Sequence, residues 1–93
     1  MSAEYIGVEW IHEFRDEPRA IYLELDAERY EARKIEVFKD GSVTKVSRDK
    51  PESGSTLLSS YPTPSLEEIN ASEEFHGREI SAAEFEDLWK SAG

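Results

Sequence analysis

The chain has 93 residues with 21 acidic against 11 basic side chains, a formal charge of -10, and no cysteine. That length fits one domain with a modest core, the charge disfavours contact with nucleic acid or anionic lipid, and the missing thiols exclude disulfides and thiolate chemistry. No apolar run approaches the ~20 residues of a membrane helix, and Met1-Ser2-Ala3-Glu4 lacks the basic-then-apolar pattern of a secretory signal, so a cytoplasmic location is expected.

Between Tyr5 and Phe14, Ile6, Val8, Trp10 and Phe14 share one parity with His12, while Glu9 and Glu13 take the other. A period of two marks a half-buried strand. Pro18, after Arg15-Asp16-Glu17, signals a turn. The second strand turns Ile21, Leu23 and Leu25 inward and Tyr22, Glu24 and Asp26 outward. A polar connection from Asp26 to Arg29 leads to a third strand from about Tyr30 to Lys39. Its parity changes between Ala32 and Ile35; either a bulge near Arg33-Lys34 resets the phase or both faces are covered. Asp40-Gly41 predicts a two-residue hairpin turn. Folding about it pairs Phe38 with Val43, Glu36 with Lys45 and Ile35 with Val46.

From Ser47 to Ser60 the chain reads as a polar connector with at most a short edge strand, or alternatively as a mobile binding loop. Ser65 stands three residues before Glu68, a capping box that opens a helix with Leu66 and Ile69 on its buried face, ending near Asn70 to Glu74. His76-Gly77 interrupts it, and a short extended piece runs to Ile80. Ser81 and Glu84 form a second capping box, with Ile80 and Phe85 at staple spacing. Phe85, Leu88 and Trp89 then make one helical stripe that should dock on the sheet. The expected architecture is α+β: an antiparallel sheet of about four strands followed by two short C-terminal helices, the last packed on one sheet face.

No motif for catalysis or metal binding is present. His12 lies amid Glu9, Glu13 and Asp16, so a general base or a metal ligand is conceivable, but its parity favours a hydrogen-bonded structural histidine. His76 is far away in sequence and no zinc spacing joins the two, so no metal and no cofactor are expected. Carboxylate pairs such as Asp16-Glu17, Glu67-Glu68 and Glu73-Glu74 read as solvated surface. Ser55, Ser59 and Ser60 lack a nucleophile elbow. Arg29, Arg33 and Lys34 form the densest basic cluster; it either binds an anion or, more simply, neutralises Glu24, Asp26, Glu31 and Glu36 across strands.

The series Trp10-Ile11-His12, Asp16-Glu17-Pro18, Tyr22 with Glu24-Leu25-Asp26, Arg29-Tyr30-Glu31 with Arg33-Lys34, and Glu36-Val37-Phe38 before Asp40-Gly41 continues in Pro64 to Asn70, Ile80-Ser81, Glu84-Phe85 and Trp89. Together these residues resemble a family of small bacterial proteins classed as a domain of unknown function, the DUF6881 type. The resemblance spans nearly the whole chain except Ser47 to Ser60, and it implies no activity and no functional residues.

The leading expectation is a protein-binding module rather than an enzyme. Its acidic surface suits a basic partner protein, in the most concrete version an immunity-like inhibitor masking a nuclease toxin. The expected contacts are Asp16, Glu17, Glu24 and Asp26, reinforced by an exposed Tyr22. Neither nucleic acid nor membrane is an expected partner. The alternatives are a small enzyme or ligand-binding domain with His12 and Arg33 in one concave pocket, and a subunit of an assembly, which would expose an apolar patch when isolated.

Overall fold

Two strands with alternating apolar residues, β1 (Glu4–Trp10) and β2 (Pro18–Leu25), pair antiparallel at the centre of the computed structural model. The structure describes residues 3–54 and 56–92. Met1 and Ser2 of the opening segment and Ser55, one of the serines considered above, lie outside the described residues. The elements that follow are β3 (Glu31–Phe38), β4 (Val43–Ser47), β5 (Glu52–Ser53), β6 (Thr56–Leu57), α1 (Leu66–Asn70), β7 (Phe75–Glu79) and α2 (Ala82–Ser91). The main sheet runs β4-β3-β2-β1-β7 with every neighbouring pair antiparallel, and β5 and β6 form a separate small hairpin. Among the described residues no helix is long and apolar enough to cross a membrane.

The fold is α+β as expected, with five strands in the main sheet rather than four. The added strand, β7, is the extended piece before Ile80. It lies between the two helices and pairs along β1, matching Val8 with Gly77 and Trp10 with Phe75. Gly77 has a packing reason: a Cβ there would stand 2.9 Å from Leu66 of α1. The Asn70 side chain accepts from the Gly77 N–H at 2.6 Å and donates to the Gly77 carbonyl at 3.0 Å. It thereby occupies part of the outer margin of β7, where an open edge would invite another strand.

Three local expectations shift. β1 ends at Trp10 rather than near Phe14, and Ile11 and Phe14 stand 55% and 63% exposed. The hairpin after β3 is displaced by one residue, with Val37 opposite Val43, Glu36 opposite Thr44 and Ile35 opposite Lys45. The cause is the turn. The Phe38 N–H donates to the Ser42 carbonyl and Gly41 takes φ 89°, so Lys39-Asp40-Gly41 forms a three-residue loop. The expected bulge is real but sits one residue earlier. Glu24 and Leu25 of β2 face Arg33 and Glu31, leaving Ala32 as the extra residue.

Both sheet faces are covered. On one, Ile6, Val8, Leu23 and Leu25 form a buried cluster against which Ile21, Phe75, Leu66 and Ile69 pack. On the other lies α2, whose capping serine Ser81 accepts from the Glu84 N–H at 3.0 Å. Phe85 of α2 is fully buried, its ring 5.4 Å from that of Tyr5. Burial of a side chain of this size contributes roughly 2–3 kcal/mol.

Candidate functional site

The α1 face of the sheet is incompletely roofed, because its covering elements are short. α1 spans Leu66–Asn70, and Ser65 caps it by accepting from the Glu68 N–H at 3.2 Å. The helix lies over Gly77 and Val8, on the β7–β1 side. The β5–β6 hairpin covers the β3–β4 side, where buried Thr56 donates from Oγ1 to Glu36 at 2.6 Å and its hydroxyl meets that of Thr44 at 2.5 Å. Between these two lids β2 remains open as the floor of a groove.

The floor consists of Val8, Ile21, Leu23 and Phe75, and the walls of Ile69, Ser72 and Glu68 on one side with Glu31 and Lys34 on the other, around a cavity of about 420 Å³. Ile21 is shared with an adjoining depression of about 290 Å³ that reaches Trp10, Pro18, Asp16, Glu17 and Glu36. Apolar floors with a few polar groups at the rim are characteristic of binding sites.

The walls are tied down by the bulge. In a regular strand residues three apart point to opposite faces. The extra Ala32 brings Glu31 and Lys34 together, with Nζ 3.0 Å from Oε1. Lys34 also donates to the Leu57 carbonyl at 2.8 Å, and Glu31 accepts from the Ser59 N–H at 2.7 Å. The stretch after Ser47 is therefore fastened to the sheet rather than a plain connector. Arg29 closes the end near Pro64. It adopts φ 68°, a left-handed conformation that costs a non-glycine residue about 1–2 kcal/mol. From there its guanidinium donates to the Thr63 and Pro64 carbonyls at 3.0 and 2.6 Å and to Glu4 at 2.5 Å.

The groove is electrically one-sided. Asp16, Glu17, Glu31, Glu36 and Glu68 line its two compartments, while the single lining cation among the described residues, Lys34, is engaged by Glu31. Glu67, Glu73 and Glu74 stand exposed on the α1 side, and the sequence holds no lysine or arginine between Lys50 and Arg78.

At the mouth beside Asp16 and Glu17 a row of rings crosses the end of the sheet. Phe75 and Trp10 are 5.7 Å apart, Trp10 and His12 4.3 Å, and His12 and Phe14 5.5 Å. Both imidazole nitrogens of His12 are engaged: Nδ1 accepts from the Phe14 N–H at 2.9 Å, so Nε2 carries the proton and donates to the Pro18 carbonyl at 2.7 Å. His12 is a brace for the loop over residues 11–17, and among the described residues no cluster of His, Asp and Glu could hold a metal ion.

Of the sequence-predicted contacts, Asp16 and Glu17 are exposed at the groove mouth. The other three are placed differently from the expectation that they face solvent. Glu24 accepts from Arg33 at 2.6 Å and from the Tyr5 hydroxyl at 3.0 Å, with its side chain only 17% exposed. Tyr22 is half-buried, its ring lying over Gly7. Asp26 accepts from Arg48 at 2.9 Å and from the Glu28 and Tyr30 N–H groups; the Arg48 bond, first, and these backbone bonds hold its carboxyl below the usual range. For Glu24 and Tyr22 the cause is that the parity of β2 read as outward faces the α2 side of the sheet, which is not solvent. Asp26, by contrast, lies beyond the strand and is one-third exposed, tied by Arg48 and the turn that follows.

Arg29, Arg33 and Lys34 do not converge on an anion. Arg33 lies beneath α2, 4.8 Å from the Phe85 ring centre and 4.9 Å from that of Trp89. It bonds Glu86 at 2.5 Å besides Glu24. These hydrogen bonds to Glu86 and Glu24 raise its pKa further, fixing it as a cation. His12 and Arg33 do not share a pocket either. His12 bonds Pro18 at one end of β2 while Arg33 pairs with Glu24 near the other, a separation of about 20 Å at strand rise. Glu68 and the Ile21–Phe75 floor were missed in sequence because they become neighbours only through β7.

The family described as Domain of unknown function (DUF6881) matches residues 4–93. No curated protein and no solved structure matches the chain.

Proposed function

The chain belongs to the DUF6881 family, whose description names no activity, and on its physical features we propose that it is a protein-binding module that engages a basic surface of another protein. The observation that carries this reading is the apolar groove lined by Asp16, Glu17, Glu36 and Glu68 beyond the Glu31–Lys34 pair, which holds the single lining cation among the described residues. A surface of this kind accelerates encounter with a cationic partner and rejects acidic ones. Exposed Phe14, in a depression with Trp10, Arg15, Asp16 and Glu17, and exposed Ile11 in the same loop add aromatic and aliphatic area that can carry binding energy. The reading's most concrete form is an immunity-like inhibitor acting in the cytoplasm, covering the nucleic-acid-binding surface of a nuclease toxin, rather than an enzyme.

The test is capture from native extract on the immobilised chain, followed by titration of each purified captured protein. A basic partner whose affinity falls more than about tenfold between 50 and 300 mM salt is expected, with a similar loss for the double substitution Asp16→Lys, Glu17→Lys. Partners that are acidic, or whose affinity ignores both salt and these substitutions, would sink the reading.

A further inference from the structure

Resting on that reading, we infer that the groove along β2 receives an extended segment of the partner, about five residues long, in which one large apolar side chain is flanked by lysine or arginine. The length follows from the floor. The two compartments follow β2 from Leu23 past Ile21 to Pro18, which at ~3.3 Å per residue is about 17 Å. The larger compartment, about 420 Å³ over Val8, Ile21, Leu23 and Phe75, accommodates an apolar anchor. The charges set the flanks, with Glu68 beside the anchor site and Glu36, Asp16 and Glu17 in the outer compartment.

One further feature agrees. Phe14 lines a further depression with Trp10, Arg15, Asp16 and Glu17, in which two carboxylates stand against one guanidinium of the chain itself and the exposed ring can stack a second. Strand addition at the β7 margin is the competing mode. It is disfavoured there because Asn70 already holds both backbone groups of Gly77. The groove instead places the partner over the face of the sheet.

The probe is an acetylated, amidated peptide reading Lys-Arg-Leu-Lys-Arg, titrated into the isotopically labelled full chain and followed by amide and indole N–H resonances. Shifts are expected at Ile21, Leu23, Ser72, Phe75 and the Trp10 indole. Replacing the central leucine of the probe by serine should weaken binding about tenfold, the scale of losing one buried aliphatic side chain. Ser72→Trp, which fills the groove, should do the same, and Glu68→Lys, at an exposed site, gives an independent check should the tryptophan disturb folding. Equal affinity for the serine probe, with shifts confined to residues 11–17, would sink the groove while leaving the acidic-surface reading intact. No binding of either basic peptide at low salt would sink both. If n-hexanol moved the groove resonances and the peptide did not, the site would be one for small apolar molecules and the inference would be wrong.

Discussion

The two faces of the sheet are covered by contrasting means. Under α2 every strong group has found a partner: Arg33 is held by Glu24 and Glu86 and sandwiched near Phe85 and Trp89, while Lys45 lies 4.8 Å from the Trp89 ring and donates to the Trp89 carbonyl at 3.0 Å. Under α1 and the β5–β6 hairpin the lids are short, a strip of β2 stays open, and the carboxylates around it outnumber the cations. A small domain needs one face closed for stability. The second can then be left unfinished, and an unfinished apolar strip with charged margins is what a partner can complete.

The contrast breaks most sharply at Phe85. Phe85→Ala should cost about 3–5 kcal/mol in urea unfolding; a loss below about 1 kcal/mol would mean that α2 is not the structural lid. Arg33→Met retains volume but leaves Glu24 without its cation beneath the helix, and a loss of about 1–3 kcal/mol is expected. Glu24→Gln in that background should recover part of it, because the uncompensated charge is then removed. Acid should loosen the same face. The Arg33 hydrogen bond, above all, holds Glu86 below its unfolded value of 4.5. A depressed carboxyl contributes stability above the unfolded value and loses it as pH falls through the folded one. Near-ultraviolet circular dichroism, to which Trp89 contributes, should therefore fade below about pH 4.5, and Glu86→Gln, which has no carboxyl to titrate there, should show the weaker signal already at neutral pH with a flatter response to acid. The smallest effect belongs to the open face: Glu68→Gln should change stability by less than about 0.5 kcal/mol while still weakening the basic probe. A large loss of stability there would show that the groove rim is structural after all.

What was legible in the sequence was local. Alternation located β1 and β2, and the serines at 65 and 81 marked both helix starts, because each signal is complete within a few residues. What escaped depends on chain segments far apart. β7 carries no alternation, since Gly77 must admit Leu66, and it joins β1 from nearly seventy residues away. Glu24 looked exposed because one parity of β2 was read as facing water, whereas α2 returns to cover it. Charge density singled out Asp16 and Glu17, which stand exposed in a loop. It could not distinguish Glu68 from its exposed neighbours, because the floor beside it exists only after β7 has paired.

Asn70 has a consequence for behaviour in crowded solution. A primary amide that donates and accepts toward one peptide unit imitates the next strand, so the sheet meets a counterfeit neighbour at the point where it would otherwise recruit a real one. On the β7 side, a strand from a second molecule would have to displace that amide before it could pair at Gly77.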